Sequence, residues 1–141
     1  MRHMTAAERR AFLQEGGRTG KLATVRPDGR PHVAPIWFVL DEDEVVFTTW
    51  HETVKATNLE HDPRVALVVD EEEPPFAFVL IEGVAEIDKQ APDMLRWTTR
   101  LAGRYMGEDQ AEQFGRRNAV EGEWLVRIRP THFVARQGIA D

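Results

Sequence analysis

Four residues near the middle of the chain have the types and spacing to hold a phosphate. Thr48 and Thr49 close an apolar, β-branched run, and Thr53 and Lys55 fall in the first turn of the helix expected next. A helix N-terminus presents unpaired N–H groups and the positive end of the helix dipole, which suit an anion. Two or three hydroxyl donors and an ammonium would complete such a site with charge-assisted hydrogen bonds. A structural reading fits the same residues. Threonine favours strands, Thr53 suits an N-cap, and Lys55 suits a solvated surface.

Other chemistries find less support. The five histidines, His3, His32, His51, His61 and His132, form no ligand pair on one element, so no metal site is expected. The absence of cysteine excludes disulfides, thiolate ligands and cysteine nucleophiles, and points to a reducing compartment. Serine is also absent, and threonine is a rare nucleophile away from a chain N-terminus. The acidic runs Asp41 to Glu44 and Asp70 to Glu73 sit at expected turns, where carboxylates are solvated and ordinary. The glycines match neither a Gly-x-Gly-x-x-Gly loop nor a P-loop. No catalytic side chain stands out.

A formal net charge of −6 without a basic stripe argues against nucleic acid as a partner. The longest apolar run, Phe76 to Ile81, has strand length and falls far short of the ~18 residues of a membrane span. Met1 to Thr5 lead into a polar helix pattern rather than an apolar signal core. A cytoplasmic location without membrane association is therefore expected.

Residues 1–141 have the length and composition of one domain, with no linker or repeat. Thr5-Ala6-Ala7-Glu8 fits a capping box and starts a helix that ends at Gly16-Gly17. Strands are expected at Lys21 to Val25, His32 to Leu40 and Glu44 to Thr49, separated by Pro27-Asp28-Gly29 and Asp41-Glu42-Asp43. A short helix over Glu52 to His61 is closed by Pro63. Arg64 to Asp70 and Phe76 to Ile87 are the next strands, with Gly83 as a bulge or bend. Pro92 to Met106 carries Met94, Trp97, Leu101 and Tyr105 at helical spacing, and a further helical turn or two spans Asp109 to Asn118. Glu123 to Arg129 is the last strand, with Thr131 to Ala135 as its extension past Pro130.

About six strands with interspersed helices do not alternate as a parallel sheet requires. The fold class is mainly β: an antiparallel β-barrel with peripheral helices. Pro35 interrupts an otherwise good strand. Proline cannot donate to a ladder, so this strand is an edge or carries a bulge, and its free backbone groups could meet a flat polar ring. Alternatively, Pro35 only blunts an edge. Taken singly, Trp37, Phe47, Trp50, Phe76 and Phe78 fit a core as well as a cofactor stack.

One resemblance joins these pieces. Gly20-Lys21-Leu22-Ala23-Thr24-Val25, followed by Asp28-Gly29-Arg30-Pro31-His32-Val33-Ala34-Pro35-Ile36-Trp37-Phe38, resembles the opening of the pyridoxamine-phosphate-oxidase-like split-barrel proteins. The match continues through Phe47-Thr48-Thr49, Lys55-Ala56-Thr57-Asn58-Leu59, Asp62-Pro63-Arg64-Val65 and Glu82-Gly83-Val84-Ala85, with an echo at Arg127-Ile128-Arg129-Pro130. The resemblance implies a six-stranded antiparallel Greek-key split barrel, of the FMN-binding type, that forms a homodimer with cofactor sites at the interface. Within the family the chain looks closer to the flavin/deazaflavin oxidoreductases than to true pyridoxamine phosphate oxidases. It departs from them where Thr53 replaces a basic residue.

The cofactor implied is coenzyme F-420, a deazaflavin, with FMN as the alternative. Its ring would lie against His32, Val33, Ala34, Pro35 and Ile36, and its phosphate would meet Thr48, Thr49, Thr53 and Lys55, next to Phe47. Phe76 and Phe78 would come from the other subunit, with Arg129 at the interface. The expected function is hydride transfer from reduced deazaflavin to a small, electron-poor organic substrate. An FMN-dependent oxidoreductase or oxidase is the second reading, and a non-catalytic flavin or deazaflavin carrier or sensor the third. Arg18, Lys21, Arg26 and Arg30 could line a groove for the longer acidic tail of the deazaflavin, or be solvated turn residues.

Overall fold

Thr5 starts the first helix as its sequence dictates. Its hydroxyl accepts from the Glu8 N–H while the Glu8 carboxylate accepts from the Thr5 N–H, a complete capping box. The computed structural model describes every residue from Met1 to Asp141. A two-residue strand, β1 (Arg2–His3), precedes this helix, α1 (Ala6–Gln14). Then come β2 (Gly20–Val25), β3 (Pro31–Ile36), β4 (Val39–Asp41), β5 (Glu44–Trp50), α2 (Val54–His61), β6 (Arg64–Glu71), β7 (Ala77–Asp88), α3 (Met94–Met106), a 3-10 turn (Glu108–Gln110), α4 (Ala111–Asn118) and β8 (Glu123–Gln137).

All strand pairings are antiparallel, in the order β3-β2-β6-β7-β8-β5-β4, with β1 beside β8. The two ends of that order, β3 and β4, are consecutive in the chain and only Trp37 and Phe38 separate them. Edges joined by so short a link must lie close together, so the sheet curls into a barrel. Phe12, Leu22, Phe38, Phe47, Leu67, Val79, Ile81, Val126 and Ile128 are among the side chains packed in the barrel core.

The expected single strand over His32 to Leu40 is thus two strands. At the break, the Phe38 N–H donates to the Tyr105 hydroxyl and the Phe38 carbonyl accepts from Arg104. Side chains of α3 take the backbone groups that a ladder would otherwise use. Pro35 sits on β3, which pairs only with β2, so its missing N–H costs no ladder bond. The last strand runs unbroken past Pro130, with a bulge where Glu82 faces His132 and Gly83 faces Pro130. A Cβ at Gly83 would lie 2.6 Å from the Arg129 carbonyl oxygen, which explains the glycine.

A second, smaller apolar cluster lies outside the barrel. Trp97 and Leu101 of α3 pack on Val39, Val46 and Leu125. The Trp97 indole N–H reaches Asp93 at 2.9 Å, so this fully buried ring leaves no donor unpaired. Arg104 straps the same helix to the barrel through the carbonyls of Gly16, Phe38 and Leu13, at 2.9, 2.7 and 2.7 Å. These contacts bring α3 alongside β4 and β5, and the space left beneath it is the candidate site.

Candidate functional site

Alternation along β5 divides the threonine pair. Phe47 and Thr49 point into the barrel, whereas Val46 and Thr48 point outward beneath α3. Thr48 therefore opens onto a pocket of about 230 Å³ lined also by Pro35, Ile36, Trp37, Lys55, Thr98, Leu101, Ala102 and Asn118. The end of β3, the outer face of β5, the start of α2, one face of α3 and the end of α4 all meet there.

The other expected phosphate ligands are engaged elsewhere. Thr49 is 3% exposed, and its hydroxyl lies 2.8 Å from that of Thr53. Thr53 is the N-cap of α2: its hydroxyl donates to the Trp50 carbonyl and accepts from the Ala56 N–H. Thr53 therefore caps α2, and of the four residues only Thr48 and Lys55 line the pocket. The side chain of Phe47 is wholly inside the core, which leaves only its backbone available to a ligand.

Lys55 is half-buried. Burial lowers its pKa and the nearby Glu123 carboxylate opposes that shift. Glu123 is raised by its own burial, against the pull of the Thr48 hydroxyl and the Lys55 ammonium. No ammonium–carboxylate contact between them falls within 4.0 Å. Lys55 thus keeps donors without a close ionic partner at the pocket wall, as an incoming anion requires. Glu123, which lines the adjoining cavity with Lys89, Met94 and Val120, is the opposing charge.

The β3 residues split by face. His32, Ala34 and Ile36 lie opposite Thr24, Leu22 and Gly20, on the barrel side. Val33 and Pro35 face outward, and Val33 is 65% exposed. His32 Nδ1 is buried without a hydrogen-bond partner. The free edge of β3 leaves the Val33 N–H and the Val33 and Pro35 carbonyls without ladder partners, beside Ile36 and the pocket. An ammonium, a hydroxyl, the Asn118 amide and a strand edge suit a phosphate joined to a flat polar ring, so these residues fit a flavin-type group.

Phe76, Phe78 and Arg129 do not line this pocket. Phe76 precedes β7 with a φ of +65°, strained for a bulky side chain, and is partly exposed. Phe78 pairs with Asp70 and Arg136, and Arg129 forms an exposed ion pair with Glu86 at 2.8 Å. Of the basic residues near the first hairpin, Arg18 bonds Glu71 and the Phe12 carbonyl, and Lys21 bonds Asp70. Only Arg26 and Arg30 share a groove, with Glu52, Val54 and Thr57, and Arg30 is already paired with Asp28.

Sequence reasoning did not single out Thr98, Asn118, Glu123 or Arg104. Nothing in local spacing marks them, because α3, α4 and β8 reach the site only through tertiary packing.

Comparison with known proteins agrees with this architecture. The chain is similar over 96% of its length, and 86% of the other's, to a conserved hypothetical protein from Mycobacterium tuberculosis, at 28% identity and a TM-score of 0.83. An F-420 reductase is 30% identical, with 87% of this chain and 94% of that one covered and a TM-score of 0.69. HutZ, the heme storage protein from Vibrio cholerae, matches over the whole of both chains at 23% identity and a TM-score of 0.74, and shares the fold. Residues 5–131 match the family described as pyridoxamine 5'-phosphate oxidase. A match across that much of the chain, on a split barrel built as above, places the protein in the pyridoxamine 5'-phosphate oxidase family.

Proposed function

We propose that the protein is an oxidoreductase that binds the deazaflavin coenzyme F-420 and reduces a small, electron-poor organic substrate. The observation that carries this reading is the half-buried Lys55 ammonium, with no carboxylate within 4.0 Å, beside the Thr48 hydroxyl and the open edge of β3. Similarity to an F-420 reductase supports the choice of coenzyme.

Reduced deazaflavin, when bound, supplies a hydride from a ring carbon. Lys55 and Thr48 would hold the phosphate, and the β3 edge with Ile36 would orient the ring. Leu101 and Ala102 of α3 supply the apolar wall that limits water in the pocket. The substrate gains one hydride and, from solvent, one proton; it is reduced by two electrons as the coenzyme is oxidised by two. Hydride transfer depends first on position, which accounts for a site without a conspicuous acid–base pair.

A second reading, FMN as the cofactor, has its own observation. The basic groove expected for a long acidic tail shrinks to Arg26 and Arg30, since Arg18 and Lys21 are committed to Glu71 and Asp70. FMN has no such tail. Charge reversal at Arg26 and Arg30 weakens F-420 more than FMN if the groove holds that tail.

The homodimer belongs to the same proposal. An open, largely apolar groove of about 610 Å³ runs over β2, β6 and β7, lined by Ala23, Val25, Ala66 and Val84, and would be covered by a second copy. That arrangement would let Phe76, Phe78 and Arg129 approach the partner's pocket. Light scattering tests it, and a strict monomer would remove Phe76, Phe78 and Arg129 from the proposed lining.

The deciding experiment is titration of the cofactor-free protein with F-420 and with FMN, followed by quenching of cofactor fluorescence. Micromolar or tighter F-420 binding that is weakened in Lys55→Ala supports the proposal. Preference for FMN moves the protein to the second reading, and binding of neither cofactor overturns both.

A further inference from the structure

Glu123 begins β8 opposite Trp50, and Leu125, two residues on, pairs with Thr48. Leu125 packs against Trp97 outside the barrel, so the pleat puts Glu123 and Thr48 on the same outer face as diagonal neighbours. Lys55 reaches this face from the first turn of α2, close enough for the Glu123 carboxylate to act on its ammonium. The carboxylate is partly buried and forms no ion pair within 4.0 Å. Lys89, the other cation beside it, is engaged by Glu60 at 2.6 Å and by the Trp124 ring. Glu121 shares that cavity and adds a further negative charge.

The charges at the phosphate end of the pocket are therefore few. Lys55 is the single cation in its lining. The hydroxyls of Thr49 and Thr53 are engaged with each other and with the cap of α2, and the Thr98 hydroxyl donates to the Gly115 carbonyl. One ammonium and one carboxylate leave the site without net charge. Burying a charge without a cation opposes folding, so folding gives no reason for Glu123 to stand here.

The two candidate cofactors differ in the charge they would bring. The phosphate of F-420 is a diester with one negative charge. That of FMN is a monoester, with two charges above its second pKa of about 6. Lys55 neutralises the first charge, and the second meets only the Glu123 carboxylate.

We propose that Glu123 is a specificity-determining residue: its carboxylate, beside Lys55 and Thr48, admits a cofactor whose phosphate is a singly charged diester and disfavours a doubly charged monoester. The proposal rests on the F-420 reading above and deepens it, because it separates F-420 from FMN by phosphate charge rather than by the groove for the tail.

Fluorescence titration at pH 8 with three ring ligands of graded charge tests it: riboflavin without phosphate, F-420 with a diester and FMN with a monoester. At about 7–8 Å and an effective dielectric constant of about 30–80, each unit of phosphate charge facing a carboxylate weakens binding about 3- to 10-fold. Glu123→Gln therefore leaves riboflavin unchanged, tightens F-420 by that factor and tightens FMN by its square, about 10- to 100-fold. FMN affinity that rises no more than that of F-420 in Glu123→Gln overturns the charge filter and leaves the F-420 reading standing. A response graded with charge, in a protein that prefers FMN, keeps the filter and removes the F-420 reading. Binding of neither phosphate ligand, by the unaltered protein or by the variant, overturns both. If Glu123→Gln does not fold, Glu123→Ala carries the comparison with the same outcomes.

Discussion

Replacing Lys55 by alanine separates ligand affinity from fold stability, because the structure gives the two effects different sizes. The ammonium is half-buried, burial lowers its pKa, and no carboxylate approaches within 4.0 Å. A hydrogen bond to a charged group contributes about 1.5–3 kcal/mol, so its loss weakens a phosphate-bearing cofactor by about 12- to 140-fold. Fold stability depends little on the same group. A lysine whose pKa is lower in the folded than in the unfolded chain opposes folding while charged. That opposing contribution is present below the folded pKa and vanishes as pH rises toward 10.5. The unfolding midpoint of Lys55→Ala should therefore stay within about 2 °C of the parent. The assay is fluorescence titration of FMN and F-420 at neutral pH, beside thermal unfolding followed by circular dichroism. An unchanged Kd in a folded variant would refute the anion site, as would affinity lost only in proportion to folded fraction.

Four other perturbations follow from the same geometry. Glu123→Gln removes the charge that opposes a bound anion, so FMN or F-420 binds several-fold tighter at neutral pH; weaker binding in this titration contradicts the arrangement. Because burial raises the Glu123 pKa, the carboxylate costs stability above that pKa and the cost fades as pH falls toward 4.5; urea unfolding of the variant should lose this slope. Gly83→Val drives a side chain into the Arg129 carbonyl and Ile128, and should cost about 1–3 kcal/mol or more in urea unfolding. Arg104→Leu leaves three carbonyls without their donor and should cost about 3 kcal/mol, with α3 the first region to lose hydrogen-exchange protection. Thr5→Ala removes the capping box of α1 at a cost of about 1 kcal/mol. The Glu8 carboxyl, held at about 2 chiefly by the Thr5 N–H, adds stability above pH 4.5 that is lost as pH falls toward 2, and because alanine keeps that N–H the variant should retain most of this slope.

What was legible in the sequence is what local chemistry decides. The capping box at Thr5 and Glu8, the turn at Pro27-Asp28-Gly29, the bulge at Gly83 and the helical spacing of Met94, Trp97, Leu101 and Tyr105 all depend on near neighbours, and each stands where its residues indicate. The ordered motifs from Gly20 to Ala85 likewise pointed to the family. The site could not be read so directly. Thr48 and Thr49 are adjacent letters, yet the pleat sends one to the pocket and the other to the core. Thr53 looked like an anion donor or a cap, and the partner that made it a cap, the Ala56 N–H, exists only once α2 forms. His32 to Leu40 looked like one strand because its pattern is continuous, but Arg104 and Tyr105, from a helix more than sixty residues later, take the Phe38 backbone groups and divide it. Lys55 and Glu123 become neighbours, and Trp37 comes to stack on Tyr105, only when β8 and α3 fold back over β5. Sequence carries periodicity and turn chemistry because those act over a few residues; which side chains share a pocket is decided by chain closure over long separations, and that belongs to the tertiary structure alone.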